Sequence, residues 1–423
     1  MKLVRNVSIT MVTSFASTGA AALAAVIVAN QLGAKGAGIF ALARVVPTVV
    51  AGLLGAGITM ADAYLVGAKK YPVQAITETN MAIGILLSIV GWGGWWACDH
   101  LLQAKFFSTL PLSVVLILGA SIPVQLIRNY LNAIQQGLQD FTEANIVLFV
   151  EDLFTLVFVL PLLVGLGTGP EIIAFATVGG SAVSLVACFV CLMRQRIWPW
   201  PRFHKEIAIE ATVMGLKGHV GRIANMLNWR LDVMILSMLA SVDVVGYYAV
   251  ATKVAEAFRP LSQAFTFVLR PYIAAMPVSE ARAQGIFLYR RVFALNFALV
   301  IIMAIAGGPI IIYMFGPEFA ASIPAFQILL IGLCALGGAG VLNGYNVGIG
   351  RPEFNSYTAL AGLVITVIGD VALIPQYSLI GAAWTSAVAY TVKALALTYV
   401  FLTTSGITWP ELIGLKEYSP DAA

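Results

Sequence analysis

The chain alternates between long apolar runs and short polar connections over its whole length. An α-helix needs roughly 20 apolar residues to cross the hydrocarbon core of a bilayer, and the runs recur at about that length. The pattern predicts twelve such segments, at residues 7–29, 39–66, 77–98, 111–136, 143–166, 171–193, 213–240, 245–275, 287–314, 322–349, 355–374 and 380–403. We therefore predict an all-α integral membrane protein with twelve transmembrane helices.

Composition supports this prediction, because 60% of the residues are hydrophobic and only 10% are charged. A soluble protein has about 25% charged residues, so lipid must be the solvent for most of this surface. The first segment follows Lys2 and Arg5 but has no convincing cleavage boundary. It is interpreted as a retained signal anchor rather than a removed signal peptide.

The distribution of Lys and Arg between connections predicts the orientation. With the amino terminus in the cytoplasm, thirteen cations lie in cytoplasmic connections, against only Lys35 and Lys105 outside. This is the bias that membrane insertion normally produces. An even number of helices also places the carboxyl terminus in the cytoplasm.

Two phrases recur at about half the chain length, which indicates an internal repeat. The residues 38–43, GIFALA, reappear as GYYAVA 208 residues later, and Leu131-Asn132 reappears as Leu342-Asn343 211 residues later. Six helices per repeat give both halves the same direction, related by an axis along the membrane normal. We predict an N-terminal lobe at 1–193, a basic cytoplasmic linker at 194–206, a C-terminal lobe at 207–404 and a cytoplasmic tail at 405–423, with a central cavity between the parallel lobes.

Charged residues inside the predicted helices point to that cavity. Nine cations lie within or at the ends of spanning segments, and the acids there are fewer. A charge at the centre of a bilayer costs from a few to more than ten kcal/mol unless it faces water or a partner. The six acids are Asp62, Glu151, Asp152, Asp232, Glu256 and Asp370. The excess of cations favours an anionic passenger over a metal ion or a cationic drug.

Helical spacing selects the candidate site residues. The spacing of residues 222, 225, 229 and 232 predicts one polar stripe, and residues 253, 256, 260 and 263 predict another. The candidate cavity cations are Arg44, Arg222, Arg230, Lys253 and Arg259, and their candidate polar or charged partners are Asn225, Trp229, Asp232, Glu256 and Gln263. Arg44, Arg222 and Arg230 have no acid three or four residues away on their own helix, whereas Lys253 and Glu256 could equally neutralise each other. Asp232 is interpreted as the fixed partner of an arginine.

The sequence contains no pattern typical of a catalytic or metal centre. The three histidines have no cysteine or carboxylate at the spacing of metal ligands, and no phosphate-binding Gly-rich loop with Lys is present. The four cysteines lie in or beside apolar segments, which favours a packing role. We expect no cofactor, no metal and no enzymatic activity.

Four phrases carry a resemblance to a known family: NWRLDVMILSMLASVDVVGYYAVATKVAE at 228–256, LGAKGAGIFALA at 32–43, MFGPEFAASIPAFQIL at 314–329 and LIPQYSLIGAAWTSAVAY at 373–390. In their order along the chain they resemble Wzx-type O-antigen and exopolysaccharide flippases, polysaccharide transporters of the multidrug/oligosaccharidyl-lipid/polysaccharide (MOP) exporter superfamily. The resemblance implies alternating access in a bacterial inner membrane. It also implies an undecaprenyl-pyrophosphate-linked oligosaccharide as passenger, and cavity charges on helices two, seven and eight.

The same resemblance implies a polysaccharide polymerase and a chain-length regulator as partners besides the lipid bilayer, and no nucleic acid. Three alternatives stay open: a lipid II or other prenyl-lipid flippase, a multidrug exporter, and a membrane oligosaccharide polymerase or ligase. The first helix carries no charge between Val7 and Ala29. The resemblance would imply fourteen helices and an arginine on the first helix for a lipid II flippase, and often an acid on the first helix for a drug exporter. A polymerase would need a larger outer loop than residues 98–110 provide. The coupling ion and the sugar stay unassigned.

Overall fold

The computed structural model describes residues 2–100, 110–165, 169–257 and 276–416, and every regular element in these ranges is helical. The α-helices of the first half are α1 Lys2–Leu54, α2 Ile58–Gly67, α3 Val73–His100, α4 Leu112–Gly137, α5 Phe141–Val159, α6 Glu171–Arg194 and α7 Lys205–Leu227. Those of the second half are α8 Leu231–Leu239, α9 Val242–Ala255, α10 Val278–Phe315, α11 Ile323–Ala335, α12 Ala339–Gly348, α13 Glu353–Ser405 and α14 Trp409–Ile413. Short 3₁₀ turns at Leu160–Val164, Pro317–Ser322 and Leu336–Gly338 extend or join some of them. The predicted all-α class is confirmed.

Eight helices in the described ranges are long and apolar enough to cross a membrane. They are Ile9–Leu54, Val73–Ala97, Leu112–Gly137, Phe141–Val164, Glu171–Arg194, Glu280–Phe315, Pro317–Gly348 and Glu353–Ser405. The protein is therefore a multi-pass membrane protein. Large apolar side chains on these helices are exposed on the protein surface, as at Ile305 and Val164, which lipid tails can cover at no hydrophobic cost.

Two of these helices, α1 and α13, have 53 residues each, far more than one crossing needs. Each contains one residue with left-handed backbone, Gly33 at φ 64° in α1 and Ser378 at φ 52° in α13. Both residues fall between two segments that the sequence predicts as separate spans. Each long element is thus two helices joined at a kink.

The observed helices differ most from the prediction in the two spans predicted at 213–240 and 245–275. The first is interrupted, because α7 ends at Leu227 and α8 begins at Leu231. The second predicted span begins with α9, and its residues from 258 to 275 lie outside the described ranges. The count of twelve spans stays a prediction for this reason.

The internal contacts of the chain divide it into two compact units. The first unit is Met1–Met226 with Ser241–Gly246, and the second is Leu227–Ala240 with Tyr247–Ala423. The packing thus assigns α7 to the first unit, although the sequence prediction placed residues 207–226 in the C-terminal lobe. The reason is local: α7 contributes Ile207, Ala208 and Ala211 to the apolar core of the first unit. The two repeat lobes themselves stay a prediction.

The recurring Gly of the first repeat phrase lies at a close helix contact in the first unit. A Cβ atom added at Gly38 of α1 would overlap the carbonyl oxygen of Val242. A Cβ atom added at Gly246 of α9 would overlap the carbonyl oxygen of Ala34. The two repeat-related glycines therefore face one another, and each permits the backbone of the other helix to approach.

The basic linker at 194–206 lies along the beginning of α3. The carboxamide of Gln74 bonds both the N–H and the carbonyl of Trp198, and His204 Nε2 lies 2.9 Å from a carboxylate oxygen of Glu78. Trp198, Trp200 and Phe203 stay exposed. The linker is thus held by its backbone while its aromatic rings face outward, an arrangement typical of aromatic side chains at a membrane interface.

Candidate functional site

A break in the second predicted span is the first candidate feature. The span 39–66 is divided into the end of α1 and the whole of α2 by three residues, Gly55 to Gly57. Ala56 has φ 46° and Gly57 has φ 70°, so both adopt the left-handed conformation. Gly215 of α7 packs so closely that a Cβ atom at Gly57 would overlap its carbonyl oxygen. A glycine is thus required at Gly57 by both backbone conformation and space.

Two side chains of α7 bind carbonyl groups at the end of α1. Arg222 donates from Nη2 to the carbonyl of Gly52 at 3.4 Å, and His219 Nε2 lies 3.1 Å from the carbonyl oxygen of Leu53. These positions are three residues apart, so they share one face of α7. The last carbonyls of a helix carry partial negative charge, which makes this end of α1 a favourable place for the Arg222 cation.

A third side chain reaches the break from α4. The hydroxyl of the buried Tyr130 donates to the carbonyl of Gly55 at 3.2 Å. Tyr130 is also close enough to interact electrostatically with Arg222 and with Asp62. Side chains of α4 and α7 thus bond carbonyl groups at and beside the break, where the helix is not continuous.

Arg222 is a predicted cavity cation that the structure leaves available. It is half-buried, and in the described part of the chain no carboxylate lies within ion-pair distance of it. The long bond to Gly52 uses one of the five N–H donors of its guanidinium group. The remaining donors can bind a carboxylate or a phosphate in the bidentate geometry that arginine favours.

Arg44, in contrast, has a carboxylate partner, and the expectation that it is unpaired was wrong. Its Nη2 lies 2.5 Å from the carboxylate of Asp152 on α5, which also accepts a hydrogen bond from Ser17. The sequence search considered acids on the same helix only, whereas this acid lies 108 residues away. Arg44 keeps one buried nitrogen, Nη1, without a hydrogen-bond partner among the described residues.

A second ion pair lies beside the first. Arg128 of α4 binds Glu151, the residue before Asp152, and Ser181 of α6 donates to the same Glu151 side chain at 2.7 Å. We refer to Arg44, Arg128, Glu151 and Asp152 as the ion-pair cluster. Its formal charges cancel, which reduces the cost of holding it in a low-dielectric environment. The sequence shows two consecutive acids at 151 and 152 inside a predicted span, but only the structure identifies the arginines that pair with them.

The predicted stripe at 222, 225, 229 and 232 is divided between two helices. Arg222 and Asn225 lie on α7, where Asn225 Nδ2 bonds the carbonyl of Gly221 at 3.0 Å. Trp229 lies in the turn between α7 and α8, and its ring packs on Tyr390 with centroids 4.7 Å apart. Because the helix is interrupted at 228–230, the 3.6-residue period cannot be extended through it, and the single stripe was a wrong prediction.

Asp232 faces the interior of the second unit, with 2% of its surface exposed. Its carboxylate accepts hydrogen bonds from the hydroxyl of Tyr248 at 2.5 Å, from Ser386 at 3.1 Å and from the N–H of Val233 at 2.8 Å. These described partners are neutral, and no arginine in the described ranges forms an ion pair with Asp232, so its interpretation as the fixed partner of an arginine stays a prediction. Within the second unit, Asp232 of α8 thus contacts α9 through Tyr248 and α13 through Ser386.

Asp370 of α13 is the other buried acid of the second unit. Its exposed fraction is 0%, and neither of its carboxylate oxygens has a hydrogen-bond partner in the described ranges. It lies near enough to Asp232 for the two carboxylates to interact electrostatically. The sequence analysis noted Asp370 as an acid inside a span but did not include it in the candidate site.

The remaining candidate residues have few described contacts or lie outside the described ranges. Arg230 precedes α8 and is half-buried, with no ion pair among the described residues. Lys253 and Glu256 lie half-buried at the end of α9. Arg259 and Gln263 lie outside the described residues. Within the described ranges no group of three or more His, Cys, Asp or Glu side chains could hold a metal ion.

Comparison with known sequences finds one family. A family model described as "Polysaccharide biosynthesis protein" matches residues 3–276 of the chain. An uncharacterized membrane protein of Methanocaldococcus jannaschii is 33% identical over 109 residues, which are 25% of this chain and 21% of that relative. The chain therefore spans about a fifth of this curated relative, and the relative carries no functional information.

Comparison with solved structures identifies the fold. An inward-facing multidrug resistance MATE family transporter of the MOP superfamily has a TM-score of 0.75 at 15% identity, over 92% of this chain and 94% of that one. The lipid II flippase MurJ in an inward closed conformation has a TM-score of 0.71 at 14% identity, over 97% of this chain and 93% of that one. At these identities the likeness shows a shared fold and does not transfer a substrate.

Proposed function

This chain belongs to the polysaccharide biosynthesis protein family of MOP-superfamily transporters, and we propose that it flips a lipid-linked oligosaccharide across the cytoplasmic membrane. The family consists of transporters and not of enzymes. The proposed passenger is an undecaprenyl-pyrophosphate-linked oligosaccharide for O-antigen or exopolysaccharide synthesis. It moves from the cytoplasmic leaflet to the outer leaflet by alternating access.

One observation carries the proposal: Arg222 lies half-buried beside a broken helix, with no carboxylate partner in the described part of the chain. A diphosphate must cross hydrocarbon while its lipid tail stays in the membrane, and it carries negative charge that hydrocarbon excludes. A guanidinium group with unused donors compensates that charge where the headgroup binds. A cationic drug would be repelled by the same group.

The other proposed headgroup contacts are Arg44 through its unbonded nitrogen, Arg230, Lys253 and Arg259. The proposed sugar contacts are the polar groups of Asn225, Trp229, Asp232, Glu256 and Gln263, because hydroxyl-rich sugars are bound by amides, carboxylates and aromatic faces. We also propose that the two kinked helices contribute two spans each, that α7 with α8 forms one, and that α9 begins another. This gives the twelve spans that the sequence predicts, with both termini in the cytoplasm.

The proposed location is a bacterial inner membrane, and the proposed partners are a polysaccharide polymerase and a chain-length regulator. These proposals follow from the sequence resemblance, whereas the matched relative described above is archaeal. Neighbouring genes for glycosyltransferases, a polymerase and a chain-length regulator would support them.

The test uses purified protein in vesicles that contain an undecaprenyl-diphosphate oligosaccharide, with the sugar detected from the far side. We expect Arg222→Ala to slow translocation at least tenfold, because the loss of one charged hydrogen bond costs about 1.5–3 kcal/mol. Arg222→Lys should retain part of the rate, since it keeps the charge without the planar fork. Arg351→Ala is the matched control, because Arg351 is exposed and pairs with Glu353.

Two outcomes would contradict the proposal. Normal translocation by Arg222→Ala would remove Arg222 from the site. Translocation of lipid II by the wild-type protein, without translocation of the undecaprenyl-diphosphate oligosaccharide, would favour the lipid II alternative instead.

A further inference from the structure

The basic linker at 194–206 joins two helices at the edge of the predicted membrane-spanning region. The spanning helix α6 ends at Arg194, and α7 begins at Lys205. Between them, residues 197–204 form neither helix nor strand. This stretch lies along the first two turns of α3, whose spanning segment begins at Val73. The linker is therefore level with the ends of spanning helices, where the hydrocarbon core meets the lipid headgroups.

The backbone of the linker is fixed to α3. The carboxamide of Gln74 accepts from the N–H of Trp198 at 2.9 Å and donates to its carbonyl at 2.6 Å. The N–H of Arg202 donates to the carbonyl of Glu78 at 3.2 Å. Ile197, with 9% of its surface exposed, packs in the apolar core of the first unit. A segment held in this way loses little conformational freedom when a ligand binds its outer face.

The outer face of the linker combines aromatic rings with cations. Trp198, Trp200 and Phe203 are exposed over 51%, 70% and 61% of their surface. Exposure of three such rings to water is costly, whereas Trp is enriched at membrane interfaces because its ring is amphipathic. The exposed cations of the linker are Arg194, Arg196, Arg202 and Lys205. Aromatic and cationic side chains thus face away from the protein along the same short segment.

The positive charge of the linker is not neutralised by acids. Four cations stand against one acid, Glu206, which leaves a net charge of +3 with histidine neutral. None of the four cations forms an ion pair within the described ranges. Glu78 and Glu143 interact electrostatically with Arg202 and Arg194, but not at ion-pair distance. The remaining positive charge can be compensated by an anion from outside the protein.

We propose that residues 194–205 form a binding site for the headgroups of anionic phospholipids, in the leaflet that the linker faces. The guanidinium groups donate to phosphate oxygens in the bidentate geometry that arginine favours. The indole rings lie beside the glycerol region of the same lipids, where aromatic side chains are favoured. A zwitterionic headgroup carries a cation of its own, so it compensates the linker poorly. Clusters of Lys and Arg next to a spanning helix are typical of sites for acidic lipids.

Lipid at this site acts on the helix that carries Arg222. The predicted orientation places the linker in the cytoplasm, where the membrane surface is negatively charged. Lipid bound there restrains the linker and, with it, the beginning of α7 at Lys205. The same helix presents His219 and Arg222 to the carbonyls at the end of α1. This consequence for transport rests on the proposed function, whereas the lipid site itself does not.

The experiment measures the binding of lipid molecules to the full-length protein in detergent by native mass spectrometry. The probes are phosphatidylglycerol, which is anionic, phosphatidylcholine, which is zwitterionic, and undecaprenyl diphosphate, which carries the headgroup charge of the proposed passenger. The linker variant is Arg194→Gln/Arg196→Gln/Arg202→Gln. The matched control removes three exposed cations of the second unit, Arg291→Gln/Arg351→Gln/Lys416→Gln. Two of these are already engaged, because Arg291 lies over the ring of Phe287 and Arg351 pairs with Glu353.

We expect the wild type to bind phosphatidylglycerol roughly tenfold more tightly than phosphatidylcholine, with a difference that decreases as salt is added. Each cation near an anionic lipid surface contributes about fivefold in affinity. The linker variant should therefore lose at least about tenfold in affinity for phosphatidylglycerol, and the control about twofold or less. Trp198→Ala/Trp200→Ala should weaken the binding of both phospholipids by the same factor, because the rings carry no net charge.

A second measurement on the wild type covers the case that the linker variant does not fold. Phosphatidylglycerol with a photoreactive headgroup is cross-linked to the protein in vesicles, and mass spectrometry locates the modified peptides. Modification of residues 194–206 that is suppressed by excess phosphatidylglycerol, but not by phosphatidylcholine, supports the site.

Three results would overturn the proposal. The first is equal affinity of the wild type for the two phospholipids. The second is equal affinity of the linker variant and the control for phosphatidylglycerol, or photoreactive labelling only outside residues 194–206. The third is linker-dependent binding of undecaprenyl diphosphate without linker-dependent binding of phosphatidylglycerol, which would assign the linker to the passenger. No transport is measured, so a failure of lipid translocation would leave these results unaffected.

Discussion

Buried carboxylates are compensated in different ways in the two units of the molecule. In the first unit, Asp152 and Glu151 bind Arg44 and Arg128 in the ion-pair cluster. In the second unit, Asp232 binds two hydroxyls and a backbone N–H, and Asp370 has no hydrogen-bond partner among the described residues. A pair of opposite charges is neutral at any ordinary pH, whereas acids without a cation become neutral only by binding a proton or a metal ion.

The two units thus differ in how the charges of their buried acids are compensated. The ion-pair cluster can hold α1, α4, α5 and α6 together irrespective of ion gradients, because its charges are already compensated. The buried acids of the second unit, Asp232 and Asp370, have no cation partner among the described residues. The cost of burying charge is therefore offset by opposite charges in the ion-pair cluster and by neutral hydrogen-bond donors at Asp232.

The largest expected effect comes from breaking the cluster at its most buried pair. Arg128→Met leaves Glu151 buried without its cation and should lower the free energy of unfolding by about 3–5 kcal/mol. Chemical denaturation in detergent measures this loss. The double variant Arg128→Met/Glu151→Met is the control, because an apolar pair of similar volume should recover most of the stability. A double variant as unstable as the single one would show that the cluster is not a simple ion pair.

A smaller effect is expected from the partly exposed pair of the same cluster. Asp152→Asn removes the charge that compensates Arg44 but keeps the size of the side chain. Since 34% of the Arg44 side chain is exposed, water screens part of the loss, and we expect a decrease of about 1–2 kcal/mol. Equal stability of Asp152→Asn and wild type in the same denaturation assay would remove this pair from the comparison.

The same substitution in the second unit should have the opposite sign. Asp370→Asn replaces a buried acid without a described partner by a neutral amide of similar size. At neutral pH we expect unchanged stability or a gain of about 1 kcal/mol, because no charge remains to be desolvated. Measuring Asp370→Asn and Asp152→Asn side by side tests the comparison directly. A loss at both positions would mean that the two units treat their acids alike.

The smallest effect is expected at an exposed ion pair beyond the membrane-spanning segments. Hydrogen bonds from Lys70 and Tyr71 lower the pKa of Glu210 at the beginning of α7. A lowered pKa stabilises the folded state above the unfolded value of about 4.3, and the contribution is lost as the pH falls through the folded value. We expect acid to reduce the unfolding midpoint slightly less in Glu210→Gln than in the wild type. Identical acid profiles would show that this pair contributes nothing.

Much of the architecture could be predicted from sequence because hydrophobic length is a local property. Twenty apolar residues specify a spanning helix wherever they occur, and the helical class and the multi-pass topology follow from that. The breaks at Gly55 to Gly57 and at 228–230 were not predicted. Both lie inside apolar segments, and only their contacts with other helices, such as Gly57 with Gly215, make an interruption stable.

The sequence by itself determined that this protein is helical, lies in a membrane and carries more cations than acids in or beside its predicted spans. These properties depend on composition and on the spacing of residues near each other in the chain. Only the tertiary structure decided which charges compensate each other, because the partners of Arg44, Asp232 and Arg128 lie on other helices. It left Arg222 without a described carboxylate and Asp62 opposite a neutral amide. Coulomb interactions act through space, and the fold sets those distances.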